Sequence, residues 1–314
     1  MPNAIELDQV TKRFGDHVAV NELSLVVPEG AIYGFIGPNG SGKTTTLRMI
    51  LRIFQPDSGV VNVLGAAQGN AADNRLGYLP EERGLYKRMK VREILRYYAR
   101  LKDYYDCDSE IEHWLERFDA SDWGNKKIDS LSKGMAQKIQ FISAVVAKPQ
   151  LVILDEPFSG LDPVNLESLK DAVLSLRQNG TTIVFSTHDM DMAERMCDTI
   201  FMIYNGRKVL DGTLDSIQSN YVANLIRCRI DEFPANGEPN EFGEMPIPEL
   251  DGVTDVHFDG RYHQLHLDQS DRAQEVLQRL SQLRRVSHFE VVKPSLHDIF
   301  VEIARPSDNG SIKS

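Results

Sequence analysis

Residues 37–44 read Gly37-Pro38-Asn39-Gly40-Ser41-Gly42-Lys43-Thr44, three glycines and a lysine at the spacing of a phosphate-binding loop. Glycines there let successive backbone N–H groups converge on phosphate oxygens, and a helix opening at Thr44 and Thr45 adds the positive end of its dipole. Lys43 supplies a point charge for terminal phosphates, and the Thr44 hydroxyl is suited to ligate magnesium. A chance glycine-rich turn is the plain alternative. The apolar run Ala31–Ile36 before the loop and the helical spacing of Leu47, Ile50 and Leu51 after it supply the strand–loop–helix setting that the chemistry needs.

A second group stands at Leu151-Val152-Ile153-Leu154-Asp155-Glu156, an apolar strand that delivers two carboxylates at its end. Unpaired buried charge is expensive, so the pair needs a reason. Magnesium supplies one for Asp155, and Glu156 is then placed to polarise a water for attack on a terminal phosphate. The bland reading is an acidic pair at a helix start; downstream of a phosphate loop it loses ground.

Leu131-Ser132-Lys133-Gly134-Met135-Ala136-Gln137-Lys138 precedes that strand, with Ser132 and Gly134 at a helix start that forms another anion-binding terminus. One chain has no evident use for two phosphate-binding ends, whereas a head-to-tail pair of chains does. The segment resembles the LSGGQ signature of ABC ATPases. Ser159-Gly160-Leu161-Asp162 is similar to their D-loop, and Ser186-Thr187-His188-Asp189 to their H-loop. In this order, over roughly the first 220 residues, the motifs resemble an ABC transporter nucleotide-binding subunit. The resemblance implies ATP and Mg²⁺ as ligands, catalysis by Lys43, Glu156 and His188, and metal ligation by Thr44, Asp155 and Glu81. It also implies nucleotide contacts from residues 37–45, Glu81, Ser132, Gly134 and Asp162, with Phe14 stacked on adenine; as a lone aromatic Phe14 fits a core position equally well. A polytopic membrane permease and a second copy of the chain are the implied partners. Gly77–Leu85 together with Leu296–Glu302 is similar to the branch of sodium and drug exporters.

Two departures stand out. Glu81 occupies the usual glutamine position of the Q-loop, with Glu82 beside it, and the signature carries Lys133 and Met135 where glycine and glutamine are common. A carboxylate can ligate magnesium, but beside triphosphate it adds negative charge that only the metal offsets. Lys133 fits a phosphate contact and a solvated position equally.

These groups need a scaffold. Short apolar runs at Leu151–Leu154 and Thr181–Phe185, separated by a helix over 164–178, predict a parallel sheet covered on both faces. The fold expected is an α/β P-loop NTPase core over residues 1–220 with an inserted helical subdomain over about 83–148. Within that subdomain Ser109 is placed to cap a helix carrying Ile111, Trp114 and Leu115. A small α+β domain is expected over 221–305, beginning with a proline- and glycine-rich loop over 234–248, and a disordered tail over 306–314. His257, His263, His266, His288 and His297 fall in that second domain at spacings that specify no metal site, and read as solvated surface side chains.

With 314 residues, 41% hydrophobic and 26% charged, the composition is that of an ordinary globular chain of more than one domain. Three widely separated cysteines argue for a reducing compartment. No secretory signal is visible and no apolar run approaches the roughly 18 residues of a membrane span, so a cytoplasmic, peripheral location through the permease is expected. The net charge of -11 offers no footprint for nucleic acid. Two rivals stay open: a soluble ABC-type ATPase acting on ribosomes or DNA, and a non-hydrolysing regulatory nucleotide binder motivated by the altered signature and Q-loop.

Overall fold

The computed structural model describes residues 2–67, 74–82, 84–221, 224–232, 250–283 and 285–304. The proline- and glycine-rich stretch and the tail expected to be disordered lie outside these residues. The chain divides into two compact units, Met1–Leu214 and Asp215–Ser314.

In chain order the first unit comprises β1 (Asn3–Phe14), β2 (His17–Pro28), β3 (Ile32–Ile36), α1 (Lys43–Ile50), β4 (Ser58–Val63), β5 (Ala66–Ala67), β6 (Leu76–Leu79), α2 (Val91–Arg100), α3 (Asp108–Arg117), α4 (Lys133–Val145), β7 (Leu151–Asp155), α5 (Pro163–Gln178), β8 (Thr182–Thr187), α6 (Met190–Met196), β9 (Thr199–Tyr204) and β10 (Arg207–Gly212). Strands β2-β1-β4-β5 form an antiparallel sheet. The order β10-β9-β3-β8-β7-β6 forms a second sheet, parallel except for the edge strand β10.

Every residue of β3, β7 and β8 is buried, which explains why their apolar residues, such as Leu151–Leu154 and Ile183–Phe185, run without alternation. The strand period of two still operates, because it sends successive side chains into two different cores. Leu151, Ile153, Val184, Tyr33 and Phe35 pack with the antiparallel sheet and α1. Val152, Leu154, Ile183, Phe185 and Ile32 pack with α2–α6 on the other face. The C-terminal ends of β3, β7 and β8 consequently lie side by side, Ile36 opposite Thr187 and Asp155 opposite Ser186. Those ends carry the phosphate loop, the acidic pair and His188 (the crevice position where open parallel sheets bind ligands).

The expected Ser109 cap is corrected: α3 starts at Asp108 after Cys107, with no side-chain cap. Asp108 is instead drawn to Arg96, 2.6 Å away, which places Ser109 inside the first turn.

The second unit holds all but the first residue of α7 (Leu214–Ser219), then β11 (Leu225–Glu232), β12 (Val253–Phe258), β13 (His263–Leu267), α8 (Ala273–Leu283), β14 (Arg285–Val292) and α9 (Leu296–Ala304). Its antiparallel sheet has the order β12-β13-β11-β14, and Ile226, Cys228, Leu265 and Leu267 pack against Val276 and Leu280 of α8. The expected boundary at 220 falls inside this unit, because α7 is tied there by the Gln218 side chain donating to the Pro294 carbonyl and by Lys293 pairing with Asp215. The histidines expected to be solvated need one correction. His263 is 7% exposed and lies 4.7 Å from the Phe258 ring, since its strand position faces the core while His266 faces out.

Candidate functional site

The turn from β3 into α1 needs glycine for steric reasons. A Cβ on Gly37 would lie 2.2 Å from the Ile203 carbonyl, and one on Gly42, at φ 110°, would lie 2.6 Å from the Ala19 carbonyl. The loop is therefore pressed onto β9 and β2, with its N–H groups left for a ligand. Lys43 is 6% exposed, and its ammonium donates to the carbonyls of Gly37 at 2.6 Å and Pro38 at 3.1 Å. Burial pushes the Lys43 pKa down, while Glu156, Asp155 and Glu81 act in the opposite sense. Ser41 Oγ is buried without a hydrogen-bond partner among the described residues, an orphaned polar atom within the cradle.

Phe14, His17, Asn39, Gly40, Lys43, Thr44, Thr45, Glu81 and Glu156 line one cleft of about 410 Å³. Phe14 is 46% exposed at its mouth, edge-on to Phe54 at 5.5 Å and with the Lys12 ammonium 5.6 Å over its ring. Asp155 is 2% exposed, and its carboxylate accepts a hydrogen bond from Ser186 Oγ. Glu156 sits at φ 49°, a left-handed conformation that costs a non-glycine residue about 1–3 kcal/mol. Its N–H offsets part of that cost by donating to the Ser186 carbonyl at 3.2 Å and hydroxyl at 3.1 Å. Glu156 Oε1 then meets His188 Nδ1 at 2.9 Å. Carboxylate and imidazole are thus already in contact at the edge of the cleft.

Ser132, Gly134 and Asp162 are not among the residues lining this cleft. Ser132 caps α4 by accepting from the Met135 N–H at 3.3 Å, and Asp162 caps α5 by accepting from Val164 and Asn165. Asn165 Nδ2 lies 2.6 Å from where a Gly134 Cβ would stand, so signature and D-loop are neighbours. Lys133 lines a separate cavity of about 260 Å³ together with Glu81, Asp155 and Glu156.

Three positioning side chains received no role from the sequence. Ser186 fixes both acidic residues. Gln137, 8% exposed, donates to the Pro157 carbonyl just past Glu156, and Gln140, 5% exposed, donates to the carbonyls of Pro80 at 3.3 Å and Glu82 at 3.2 Å, on either side of Glu81. The signature helix thereby holds both acidic loops of its own chain. Two buried glutamines in one helix were the available signal.

Residues 20–159 match the ABC transporter family, and residues 212–304 match the family described as ATP-binding protein DrrA1-3-like, C-terminal domain. The chain is 43% identical over 301 residues to the uncharacterized ABC transporter ATP-binding protein YhaQ of Bacillus subtilis, covering 95% of this chain and 97% of that one. It belongs to the ABC transporter ATP-binding proteins. This ABC subunit is also 37% identical to the Nod factor export ATP-binding protein I of Burkholderia lata, over 68% of this chain and 72% of that one. A solved ATP-binding subunit of an ABC transporter superposes with a TM-score of 0.65 at 30% identity, covering 69% of this chain and 93% of that structure. The expected P-loop NTPase fold and the resemblance to the exporter branch are borne out. The protein is an ATP-binding ATPase subunit of a transporter, of the kind that works with membrane permeases. No helix among the described residues is long and apolar enough to cross a membrane.

Proposed function

We propose that two copies of this ABC subunit close head to tail over two ATP–Mg²⁺ units and thereby drive an exporter from the cytoplasmic face of the membrane. The observation that carries the proposal is the shared cleft, which brings Lys43, Thr44, Glu81 and Glu156 together while leaving Ser132 and Gly134 outside it. A second copy supplies the missing signature, and Asp162 sits at the seam beside it.

In this reading the loop N–H groups and Lys43 bind the β- and γ-phosphates, with Lys43 exchanging the carbonyls of Gly37 and Pro38 for phosphate oxygens. Phe14 stacks on the adenine. Thr44, Asp155 and Glu81 form an all-oxygen donor set of the kind magnesium takes. Among the described residues no three His, Cys, Asp or Glu side chains converge to hold a metal alone, in keeping with an ion that keeps water and phosphate ligands. Bound there, Mg²⁺ would neutralise charge developing on the phosphoryl oxygens. Glu156 orients the attacking water and draws off its proton, and His188, already 2.9 Å from it, steadies the γ-phosphate side.

Contact with the permease is assigned to the helical subdomain and the loop Glu81–Tyr86. An apolar groove of about 440 Å³ lined by Ile53, Leu76, Tyr78, Leu85, Tyr98 and Leu101, among others, offers a seat for a permease helix. Export is supported by the Nod factor export relative. The test is isolation of the chain from native membranes with whatever polytopic protein accompanies it, followed by Mg²⁺-dependent ATPase assay. A membrane partner that stimulates turnover supports the reading. Intact turnover with ribosomes, and no membrane protein, transfers the chain to the soluble rival.

A further inference from the structure

Residues 86–102 carry seven of the 35 Lys and Arg residues of the chain but only one of its 46 Asp and Glu residues. Within a protein of net charge -11 that is a local reversal of sign. Two of the seven cations are neutralised in the fold, Arg92 by Glu112 at 2.6 Å and Arg96 by Asp108 at 2.6 Å. Lys87, Arg88, Lys90 and Arg100 are exposed and make no ion pair among the described residues.

Local electrostatics oppose most of this placement. Lys87, Arg88 and Lys90 flank the N-terminus of α2, the end whose dipole favours anions. Lys90 is bridged antiparallel to Lys127, itself exposed, so two lysines stand directly opposite, an arrangement that costs stability in a sheet pair. The segments are held together by backbone bonds, Ile128 N–H to the Met89 carbonyl and Asp129 N–H to the Lys87 carbonyl. A fold gains nothing from gathering four cations here, so an anionic surface outside the protein is the natural counterpart. Beside them lies an exposed aromatic pair, Tyr86 (55%) edge-on to Tyr97 (39%) at 5.7 Å. Tyrosine with lysine and arginine is the composition of side chains that rest at the headgroup level of a bilayer.

We infer that this face, Lys87, Arg88, Lys90 and Lys127 with Tyr97, rests on anionic phospholipid headgroups. It is a direct lipid contact, additional to the permease contact proposed above, and depends on that reading only for bringing the chain to a membrane. The acidic remainder of the molecule is repelled by the same surface, so the contact also fixes orientation.

The test is sedimentation of the purified full chain, without nucleotide, with vesicles of phosphatidylglycerol and phosphatidylcholine or of phosphatidylcholine alone. Binding is expected only to the anionic vesicles, and weakens with salt. Each basic residue near such a surface contributes about fivefold, the equivalent of about 1 kcal/mol. Lys87→Gln, Arg88→Gln, Lys90→Gln and Lys127→Gln together should therefore weaken binding by on the order of several hundredfold. An equal charge change at Lys148, Lys170, Arg177 and Lys208 should leave it within about twofold. Equal binding to both vesicle types, or an unaffected quadruple variant, overturns the inference. Loss of permease co-isolation with unchanged vesicle binding also overturns it and gives the face to the permease. ATPase activity read on the same samples separates either failure from a failure of the transporter reading.

Discussion

The two units bury different kinds of side chain. Among the described residues the first hides Lys43, Lys138, Asp155, Gln137, Gln140 and Ser186 with several other polar residues, whereas in the second His263 is the one buried polar residue, with the Asn224 Oδ1 and Arg227 Nε atoms also covered. Burying polar groups costs free energy unless partners are supplied, so a fold keeps them where they serve something besides stability. In the first unit they cluster at the C-terminal ends of β3, β7 and β8 and along α4. In the second the charges lie at the surface, as with Arg272, which reaches Asp251 at 2.8 Å, Asp268 at 3.0 Å and Glu275 at 3.3 Å. The contrast separates a unit organised around chemistry from one organised around its own packing.

If the contrast is sound, substitutions in the two units fail differently. The largest effect is expected for Glu156→Gln, with hydrolysis reduced on the order of 10³-fold while ATP still binds, as read by phosphate release beside nucleotide titration. Ser186→Ala should come next. It strips the buried Asp155 carboxylate of its hydroxyl donor, which costs about 1–3 kcal/mol and lowers both Tm and turnover. Gln140→Leu keeps the volume of α4 but releases the backbone around Glu81. Turnover should fall about tenfold and the Mg²⁺ requirement rise, an effect visible in a metal titration. Leu280→Ala in α8 should destabilise the second unit by about 2–5 kcal/mol in a denaturant melt, while the ATPase rate of the folded protein stays within about twofold of the parent. A large loss of turnover there would break the comparison.

Much of the first unit was legible from residue types, because its constraints are local. The phosphate loop needs glycine at fixed positions, and β7 and β8 must be uninterrupted apolar runs to lie between two cores. The convergence of the candidate groups could also be read, since strand ends in a parallel sheet bring Lys43, Asp155 and His188 to one edge whatever the loops do. What escaped was the supporting layer. Ser186, Gln137 and Gln140 act through backbone carbonyls of distant segments, and a carbonyl has no sequence signature. In the second unit β11 went unread although Ile226, Cys228 and Ile230 alternate with Arg227 and Arg229, because so short a run of period two barely stands out beside a proline- and glycine-rich stretch. The burial of His263 was equally hidden, as strand register alone decides which face a histidine takes.

In the proposed dimer, Lys43, Asp155 and Glu156 form half of a site that a second copy completes through Ser132 and Gly134. Its most direct test is the solution mass of the Glu156→Gln chain with and without Mg-ATP, measured by light scattering on a sizing column. A monomer is expected without nucleotide, and with Mg-ATP a stable dimer that is lost in the Lys43→Ala/Glu156→Gln chain. A monomer under both conditions, with ATP demonstrably bound, would rule out the shared site.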